Sequence, residues 1–251
     1  MTFLSICSGV EAASVAWSPL GFKAVAFSEV DPFCNTLLKC CYPEVENIGD
    51  LTHADFTRFR GRFDILIGGT PCQSFSTAGK RQGARDKHGG WDFFQFLTEI
   101  SKCGYGFVWR VLDARFFGVP QSRRRVFLIG HFGDWRPPAK VLFEQESPSW
   151  DDWQSKKKQH KNSAMDDCAK TLLTSNQRTA YFNGGHQGKR IYPPDISITL
   201  SSAEGSNKGL YKTAEGIRRL TPLEYERCQG FPDNYTAITY RGKPASDTQR
   251  Y

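Results

Sequence analysis

No stretch of this 251-residue chain is long and apolar enough to read as a membrane span, and the mean hydropathy of −0.49 agrees. The eight cysteines, at positions 7, 34, 40, 41, 72, 103, 168 and 228, show no paired Cys-x-x-Cys spacing. That excludes the common zinc frameworks, and the thin spread excludes a small disulfide scaffold. Reduced thiols in a cytoplasm are the expectation, with no metal. The opening Met1-Thr2-Phe3-Leu4 carries neither a basic n-region nor a cleavage site, so no export is expected. No Gly-x-Gly-x-x-Gly follows the first apolar run, which removes the usual nicotinamide fingerprint. Acidic residues are the scarcer charge: 26 Asp and Glu against 33 Lys and Arg leave +7. That excess suits a polyanionic partner, and equally an ordinary basic surface.

What is present is apolar content, 39% of residues, sufficient for one sizeable core and a smaller satellite. The chain is organised around Asp64-Ile65-Leu66-Ile67-Gly68-Gly69-Thr70-Pro71-Cys72-Gln73-Ser74-Phe75-Ser76. An apolar run of strand length ends in two glycines and turns at a proline followed at once by cysteine. The Cys72 thiol is therefore expected just past a strand's C-terminal edge, where open α/β sheets keep their chemistry. An isolated Pro-Cys reads more readily as an inert buried thiol, but the flanking residues reverse that preference.

Upstream, Thr2 to Cys7 reads as a strand broken at Ser8-Gly9, with a helix allowed from Val10 to Trp17. Lys23 to Phe27 is a second apolar run, closed by Ser28-Glu29-Val30-Asp31-Pro32, and Phe33 to Cys41 reads as a helix. Glu29 stands about 20 residues past the glycine turn, where such folds hold ribose hydroxyls. Taken alone, Glu29 or Asp31 is more simply a helix N-terminal charge. A third strand is expected to end at Gly49-Asp50-Leu51-Thr52. Strands alternating with helices predict a parallel, doubly wound α/β sheet.

Downstream, Phe93, Phe96, Leu97 and Ile100 share one side of a helix from Phe93 to Cys103. Gly106 to Leu112 and Arg125 to Ile129 read as strands joined by the loop Asp113 to Arg124. The cluster Gln121-Ser122-Arg123-Arg124-Arg125 is a solvated edge unless something anionic or carbonyl-rich lies opposite. From Asp134 on, prolines, tryptophans, Lys156-Lys157-Lys158 and turns such as Asn183-Gly184-Gly185 replace the rhythm, which sets a boundary near Gly133. Ala169 to Ser175 and Ser197 to Ser202 echo each other as two hairpin-like pieces suited to gripping a duplex, although the lysine run alone is an ordinary solvated linker. The expected division is 1–133, 134–216 and 217–251. The last part opens a helix with Thr221 as N-cap, Pro222 at N1 and Glu224 at N3, stopped by Gln229-Gly230-Phe231-Pro232-Asp233.

These motifs resemble, in order along almost the whole chain, the DNA cytosine-C5 methyltransferases, most closely their phage- or prophage-type bacterial members. The segments that carry the resemblance are Ser5 to Ser14, Ser28 to Asp31, Gly49-Asp50, Gly68 to Ser76, Gln121 to Arg125 and Arg218 to Pro232. The Pro-Cys-Gln loop followed by the Gln-x-Arg-x-Arg strand is the specific part. The resemblance implies an S-adenosylmethionine-dependent methyltransferase sheet with a small loop-rich target-recognition domain in 134–216. It also implies a double-stranded DNA substrate, a restriction–modification setting and a monomer. Cytosine C5 is a poor nucleophile until a thiolate has added at C6, and Cys72, between Pro71 and Gln73, would make that attack. Arg125 would contact the O2 side of the ring and Arg123 would brace the Pro71-Cys72 loop, their charge favouring the thiolate. By the same resemblance Cys7, Ser8, Gly9, Val10 and Ala12 would lie near the amino acid part of the cofactor and Glu29 on its ribose. Val30, Asp50 and Leu51 would lie on its adenine, and Gly69 beside it. The target base would be flipped out of the duplex, with Gln73 and Ser76 near the flipped nucleotide. Gln121 and Lys156, Lys157 and Lys158 would contact nucleic acid.

The sequence also departs from the family. Cys7, Glu11 and Ala12 take the places of an aromatic residue and glycines, a pattern of the phage-type subgroup. Between Gly83-Ala84-Arg85-Asp86 and Lys87-His88-Gly89-Gly90-Trp91-Asp92 the family has a helix and a fifth strand ending in Glu-Asn-Val, and no such tripeptide follows Cys72. That glutamate touches cytosine N3, so the thiolate addition loses its acid partner. A missing central strand also leaves two sheet edges facing one another unless the remaining strands close up. The chain stops at Gln249-Arg250-Tyr251, where the family continues into a Gly-Asn-Ser motif and a final helix. An active enzyme and a catalytically silent DNA-binding remnant are therefore both open readings, and RNA in place of DNA is a third.

Overall fold

The computed structural model describes residues 1–51, 53–69, 90–117, 123–143, 181–183, 190–192, 210–213, 216–218 and 220–250. The chain divides into two compact units, Met1–Leu112 with Arg124–Ser147, and Asp113–Arg123 with Pro148–Tyr251.

The first unit is built on a six-stranded sheet of β1 (Thr2–Ile6), β2 (Lys23–Ser28), β3 (Glu46–Asn47), β4 (Ile65–Gly68), β5 (Tyr105–Asp113) and β6 (Arg124–Phe132), in the order β3-β2-β1-β4-β6-β5. β1 pairs parallel with both β2 and β4, and β2 with β3. The intervening helices are α1 (Ala12–Trp17), α2 (Pro32–Cys41) and α3 (Gly90–Lys102), so the doubly wound α/β architecture is the observed one. Phe3, Leu4 and Ile6 on β1 are fully buried, as the central position of their strand requires.

Two strand expectations are corrected. The third strand ends at Asn47 and not at Gly49 to Thr52, because Gly49 turns into the left-handed region at φ 73, which a strand cannot hold. The sheet is also not parallel throughout. β6 runs antiparallel to β4, with Ile65, Leu66, Ile67 and Gly68 opposite His131, Gly130, Ile129 and Leu128. The two edges that a missing strand would leave facing one another are thus hydrogen-bonded directly to each other.

One face of this sheet carries a core of Leu4, Ile6, Leu66 and Leu128 packed against Phe56, Phe59, Phe63 and Tyr105. α3 closes it with Phe96, Leu97 and Ile100, three of the positions its helical spacing singles out. Tyr105 stacks on Phe63 at 4.4 Å between ring centroids and donates its hydroxyl to the Phe63 carbonyl at 2.9 Å. Burial pushes that phenol up to about 12. α4 (Arg136–Leu142) follows β6 within the same unit and is held by Arg110 Nη1 donating to the Leu142 carbonyl at 2.6 Å.

Gly68 allows β4 to lie this close to β1. A Cβ there would fall on Ile6 Cγ1 and within 2.5 Å of the Ile6 carbonyl oxygen, and Ile6 is central to the core. Gly68→Ala is expected to destabilise the first unit by at least ~2 kcal/mol through overpacking. Urea unfolding followed by circular dichroism checks this, and an unchanged midpoint would contradict it.

The second unit holds a four-stranded sheet in the order β10-β9-β7-β8, made of β7 (Tyr181–Asn183), β8 (Arg190–Tyr192), β9 (Leu210–Thr213) and β10 (Gly216–Arg218). Its recorded pairs are antiparallel. The echoing stretches 169–175 and 197–202 lie outside the described residues. α5 (Pro222–Cys228) begins with the capping box read from the sequence: the Thr221 hydroxyl accepts from the Glu224 amide, and Glu224 reaches back to the Thr221 amide at 2.7 Å. Gly230, at φ 79, follows its C-cap Gln229. A small hairpin, β11 (Thr239–Tyr240) with β12 (Lys243–Pro244), and α6 (Asp247–Arg250) complete the unit.

Candidate active site

Three loops leave the C-terminal edges of β1, β2 and β3 and are tied to one another. The first contains three left-handed residues within five positions: Cys7 at φ 48, Gly9 at φ 56 and Glu11 at φ 62. Only glycine adopts that region without cost, so the two side chains there need compensation. Glu11 has it. Fully buried, its carboxylate caps α1 by accepting from the Ser14 amide and hydroxyl, both at 2.9 Å, and it accepts from the Ser5 hydroxyl at 2.8 Å.

Burial pushes the Glu11 carboxyl above its ordinary value of 4.5, and the hydrogen bonds from Ser5 and Ser14 only partly oppose this. Between the unfolded and folded values the folded chain holds more proton than the unfolded one, so stability falls as pH rises through that window. Glu11→Gln keeps the shape and an acceptor for Ser14 while its amide meets a Ser5 hydroxyl free to rotate. The variant is expected to lose this pH dependence. Urea midpoints of wild type and variant should diverge as pH rises from 4.5 towards neutrality, with wild type falling relative to the variant, and parallel curves would contradict the assignment.

The second loop carries Glu29. Its Oε1 accepts from the Val30 and Asp31 amides at 2.8 and 2.9 Å, and its Oε2 accepts from the Gly9 amide at 2.6 Å, joining the first loop to the second. The Ser28 carbonyl receives the Ser8 amide at 3.1 Å, and the Ser28 hydroxyl donates to the Gly49 carbonyl at 2.7 Å, joining the second loop to the third. Asp31 caps α2 through the Cys34 amide at 2.8 Å, the helix N-terminal role open to it from sequence.

The sequence-predicted cofactor residues gather at this edge. Cys7, Ser8, Gly9 and Val10 are half-buried, Ala12 is exposed at the start of α1, and Val30 is 63% exposed beside Glu29. Asp50 is exposed and Leu51 packs partly against the core. A Cβ added at Gly9 or Gly49 would meet nothing within 4 Å, so open space adjoins both glycines. Glu29 Oε2 takes one backbone amide and keeps a lone pair for a further donor, and with the exposed apolar Val30 and the open space at Gly9 and Gly49 it has the chemistry to hold a nucleoside with an amino acid attached. Burial, then Glu29 and Asp50, push the Cys7 thiol up to about 12, so Cys7 is a neutral thiol and not a nucleophile.

β4 opens next to this cradle, because β1 is its neighbour in the sheet. Gly69, exposed at its end, would place a Cβ 3.0 Å from the Val126 carbonyl. β6 pairs Leu128 with Gly68, so Arg125, three residues earlier on the same strand, runs past the point where β4 ends. Its Nη1 donates to the Arg124 carbonyl at 2.7 Å. Arg123, in the second unit, donates from Nη1 to Gln229 Oε1 at 3.3 Å. Pro71, Cys72, Gln73, Ser76, Gln121, Lys156, Lys157 and Lys158 lie outside the described residues. Among the described residues no group of three or more His, Cys, Asp or Glu is arranged for a metal, and no helix is long and apolar enough to cross a membrane.

Two side chains to which the sequence reading gave no role join the site: Ser28, and Asn47 at the end of β3. The one local signal for Asn47 was an asparagine two residues ahead of a glycine, the spacing of an Asx turn.

A family model for C-5 cytosine-specific DNA methylases matches residues 1–101 and 90–248. The chain belongs to this family. The two matched stretches share residues 90–101, all of α3 but its last residue. Among curated members and relatives, a protein of Escherichia phage P1 named as a DNA N-6-adenine-methyltransferase is 30% identical over 98% of this chain. The aligned length is 413 positions, well beyond the 251 residues here, so that relative carries sequence this chain lacks. The chain spans about half, 55%, of that relative. The type II methyltransferase M.HpaII of Haemophilus parainfluenzae is 27% identical over 100% of this chain and 83% of its own length. Two solved methyltransferases share the fold: one encoded within an E. coli prophage (TM-score 0.53, 16% identity, covering 100% of this chain and 93% of that one), and S. pombe Dnmt2 (TM-score 0.52, 13% identity, covering 100% and 91%).

Proposed function

We propose that the chain is a DNA cytosine-C5 methyltransferase that uses S-adenosylmethionine, acts on a cytosine flipped out of a specific duplex sequence, and works through a covalent adduct on Cys72. The observation that carries this is the cradle of Gly9, Glu29 and Gly49 on the sheet edge beside the end of β4, whose chain leads into Pro71-Cys72-Gln73. Glu29 would hold the ribose hydroxyls, Val30, Asp50 and Leu51 the adenine, with Gly69 beside it, and Cys7, Ser8, Gly9, Val10 and Ala12 the amino acid part. Bound there, the cofactor would supply an electrophilic methyl group.

The residues of the chain then act on the base. The Cys72 sulfur adds to C6, which moves an electron pair onto C5; after C5 has been alkylated, loss of its proton expels the thiolate. Arg125 would lie on the O2 side of the ring and draw charge from it, with Arg123 bracing the cysteine loop. Ser76, Gln121, Lys156, Lys157 and Lys158 would carry phosphate contacts that position but do not specify. The phage P1 relative is named for adenine N6, but a direct transfer to an exocyclic amine needs no covalent cysteine, and a Pro-Cys-Gln loop favours cytosine.

The absence of Glu-Asn-Val favours one second reading, a chain that binds DNA without turnover. Calorimetric titration with S-adenosylhomocysteine, followed by capture on duplex DNA containing 5-fluorocytosine, tests both. With S-adenosylmethionine added for the capture step, C5 is methylated, and because the fluorine there cannot then leave as a cation the thiolate stays on the base. Micromolar binding and a DNA adduct stable to denaturant are expected. A folded chain that binds no S-adenosylhomocysteine would remove the methyltransferase reading.

A further inference from the structure

The cradle is held in shape by two side chains to which no part of the proposed chemistry is assigned, Ser28 and Asn47. Asn47 uses its whole carboxamide. Oδ1 accepts from the Glu29 amide at 3.1 Å and the Gly49 amide at 3.1 Å; Nδ2 donates to the Glu29 carbonyl at 3.1 Å and to Asn35 Oδ1 at 2.8 Å. Two of these partners are backbone N–H groups and one is a backbone carbonyl, so only one orientation of the amide satisfies all of them. Asn47 grips Glu29 by both its amide and its carbonyl, and ties it to the third loop and to α2. Ser28, 2% exposed, closes the other side. Its carbonyl receives the Ser8 amide and its hydroxyl donates to the Gly49 carbonyl, so one buried residue touches all three loops.

We infer that Ser28 and Asn47 form a clasp that sets the direction of the Glu29 carboxylate and thereby gives the cofactor site its preference for ribose over deoxyribose. The inference rests on the proposed cofactor reading and adds positioning residues to it. The physical reason is that a hydroxyl is discriminated by a fixed polar partner. A carboxylate held within a few tenths of an ångström distinguishes a nucleoside with a 2′-hydroxyl from one without it, whereas a carboxylate on a loose turn swings to water when that hydroxyl is missing. The backbone of Glu29 has no β-ladder to hold it, because β2 ends at Ser28. The clasp stands in for the ladder.

The test compares calorimetric affinities for S-adenosylhomocysteine and its 2′-deoxy form in wild type, Ser28→Ala and Asn47→Leu, each checked for folding by circular dichroism. Wild type is expected to prefer the ribose form by roughly tenfold, a value typical of one hydrogen bond to a charged group. In each variant that ratio is expected to fall to about twofold or less, mainly through weaker binding of the ribose form. Ser28→Ala removes a single hydroxyl and keeps the test available if Asn47→Leu does not fold. A variant that binds both ligands more weakly in the same proportion would show a merely structural role and overturn the inference. So would a wild type that binds both ligands equally. A wild type that binds neither would overturn the cofactor reading itself, a result distinct from the other two.

Discussion

Glu226→Gln, a change of one atom in outline, is expected to cost the second unit about 3 to 5 kcal/mol, the scale of breaking a buried ion pair from one side. Glu226 is 2% exposed on α5. Its Oε2 accepts from the Asn234 amide at 2.7 Å; its Oε1 accepts from the Thr236 amide at 2.8 Å, from the Thr236 hydroxyl, and from Arg250 Nη2 at 3.2 Å. Each oxygen therefore faces a backbone N–H that cannot turn away. An amide in place of the carboxylate must point its own N–H groups at one of them, and it leaves the Arg250 guanidinium, 15% exposed, without its counter-charge. Asn234 sits at φ 60, and the loop that reverses direction after α5 is also held by the Phe231 amide on the Glu226 carbonyl at 2.9 Å, a Phe231–Tyr235 stack at 5.1 Å and the two-point Arg227–Asp233 ion pair. Amide exchange under a guanidinium series should show the loss in 220–250 while the first unit keeps its midpoint. An unchanged second unit would mean that the carboxylate is not its anchor. Arg250→Met, which leaves three of the four donors to Glu226 in place, should cost less.

Where local chemistry decided the outcome, the sequence was readable. The capping box at Thr221 and Glu224, the inner face of α3 at Phe96, Leu97 and Ile100, and an acidic residue closing β2 at Glu29 each follow from spacing over a few positions. Pairing across the sheet did not follow, because it depends on which edges are available. β6 lies on β4 with Leu128 opposite Gly68, and nothing near residue 128 says which edge the strand will meet. Glu11 was hidden for a different reason. A glutamate in the left-handed region is unfavourable locally, and only the buried hydroxyls of Ser5 and Ser14, from two different elements, make it acceptable. Asn47 is an exposed polar residue on a two-residue edge strand, the kind of position at which sequence carries least signal. The place of Glu29 at the end of β2 was thus legible, and the residues that hold its loop in shape were not, because positioning is a property of several loops together.

Cys72→Ser is expected to lower covalent capture of 5-fluorocytosine DNA by roughly 10³-fold or more, the range in which removal of a nucleophile falls in covalent enzymes. A hydroxyl ionises far less readily than a thiol, and oxygen is the poorer nucleophile toward a conjugated carbon, so neither attack nor retention survives the change. Four of the described cysteines are poor substitutes, because burial pushes the Cys7, Cys34, Cys41 and Cys103 thiols up and away from the thiolate. Affinity for S-adenosylhomocysteine should stay within about twofold in the variant, since the Gly9, Glu29 and Gly49 cradle has its own hydrogen bonds. A denaturing gel of duplex, protein and cofactor reads the adduct directly. Its rate in wild type also reports on the missing Glu-Asn-Val. Without an acid near cytosine N3, addition should be slowed by about 10² to 10⁴-fold relative to an enzyme with that glutamate, so the band should grow over hours and not minutes. A band that grows slowly in wild type and never in Cys72→Ser identifies an enzyme working without its acid partner. Equal absence of the band in both, with salt-sensitive duplex binding retained in both, identifies the DNA-binding chain instead.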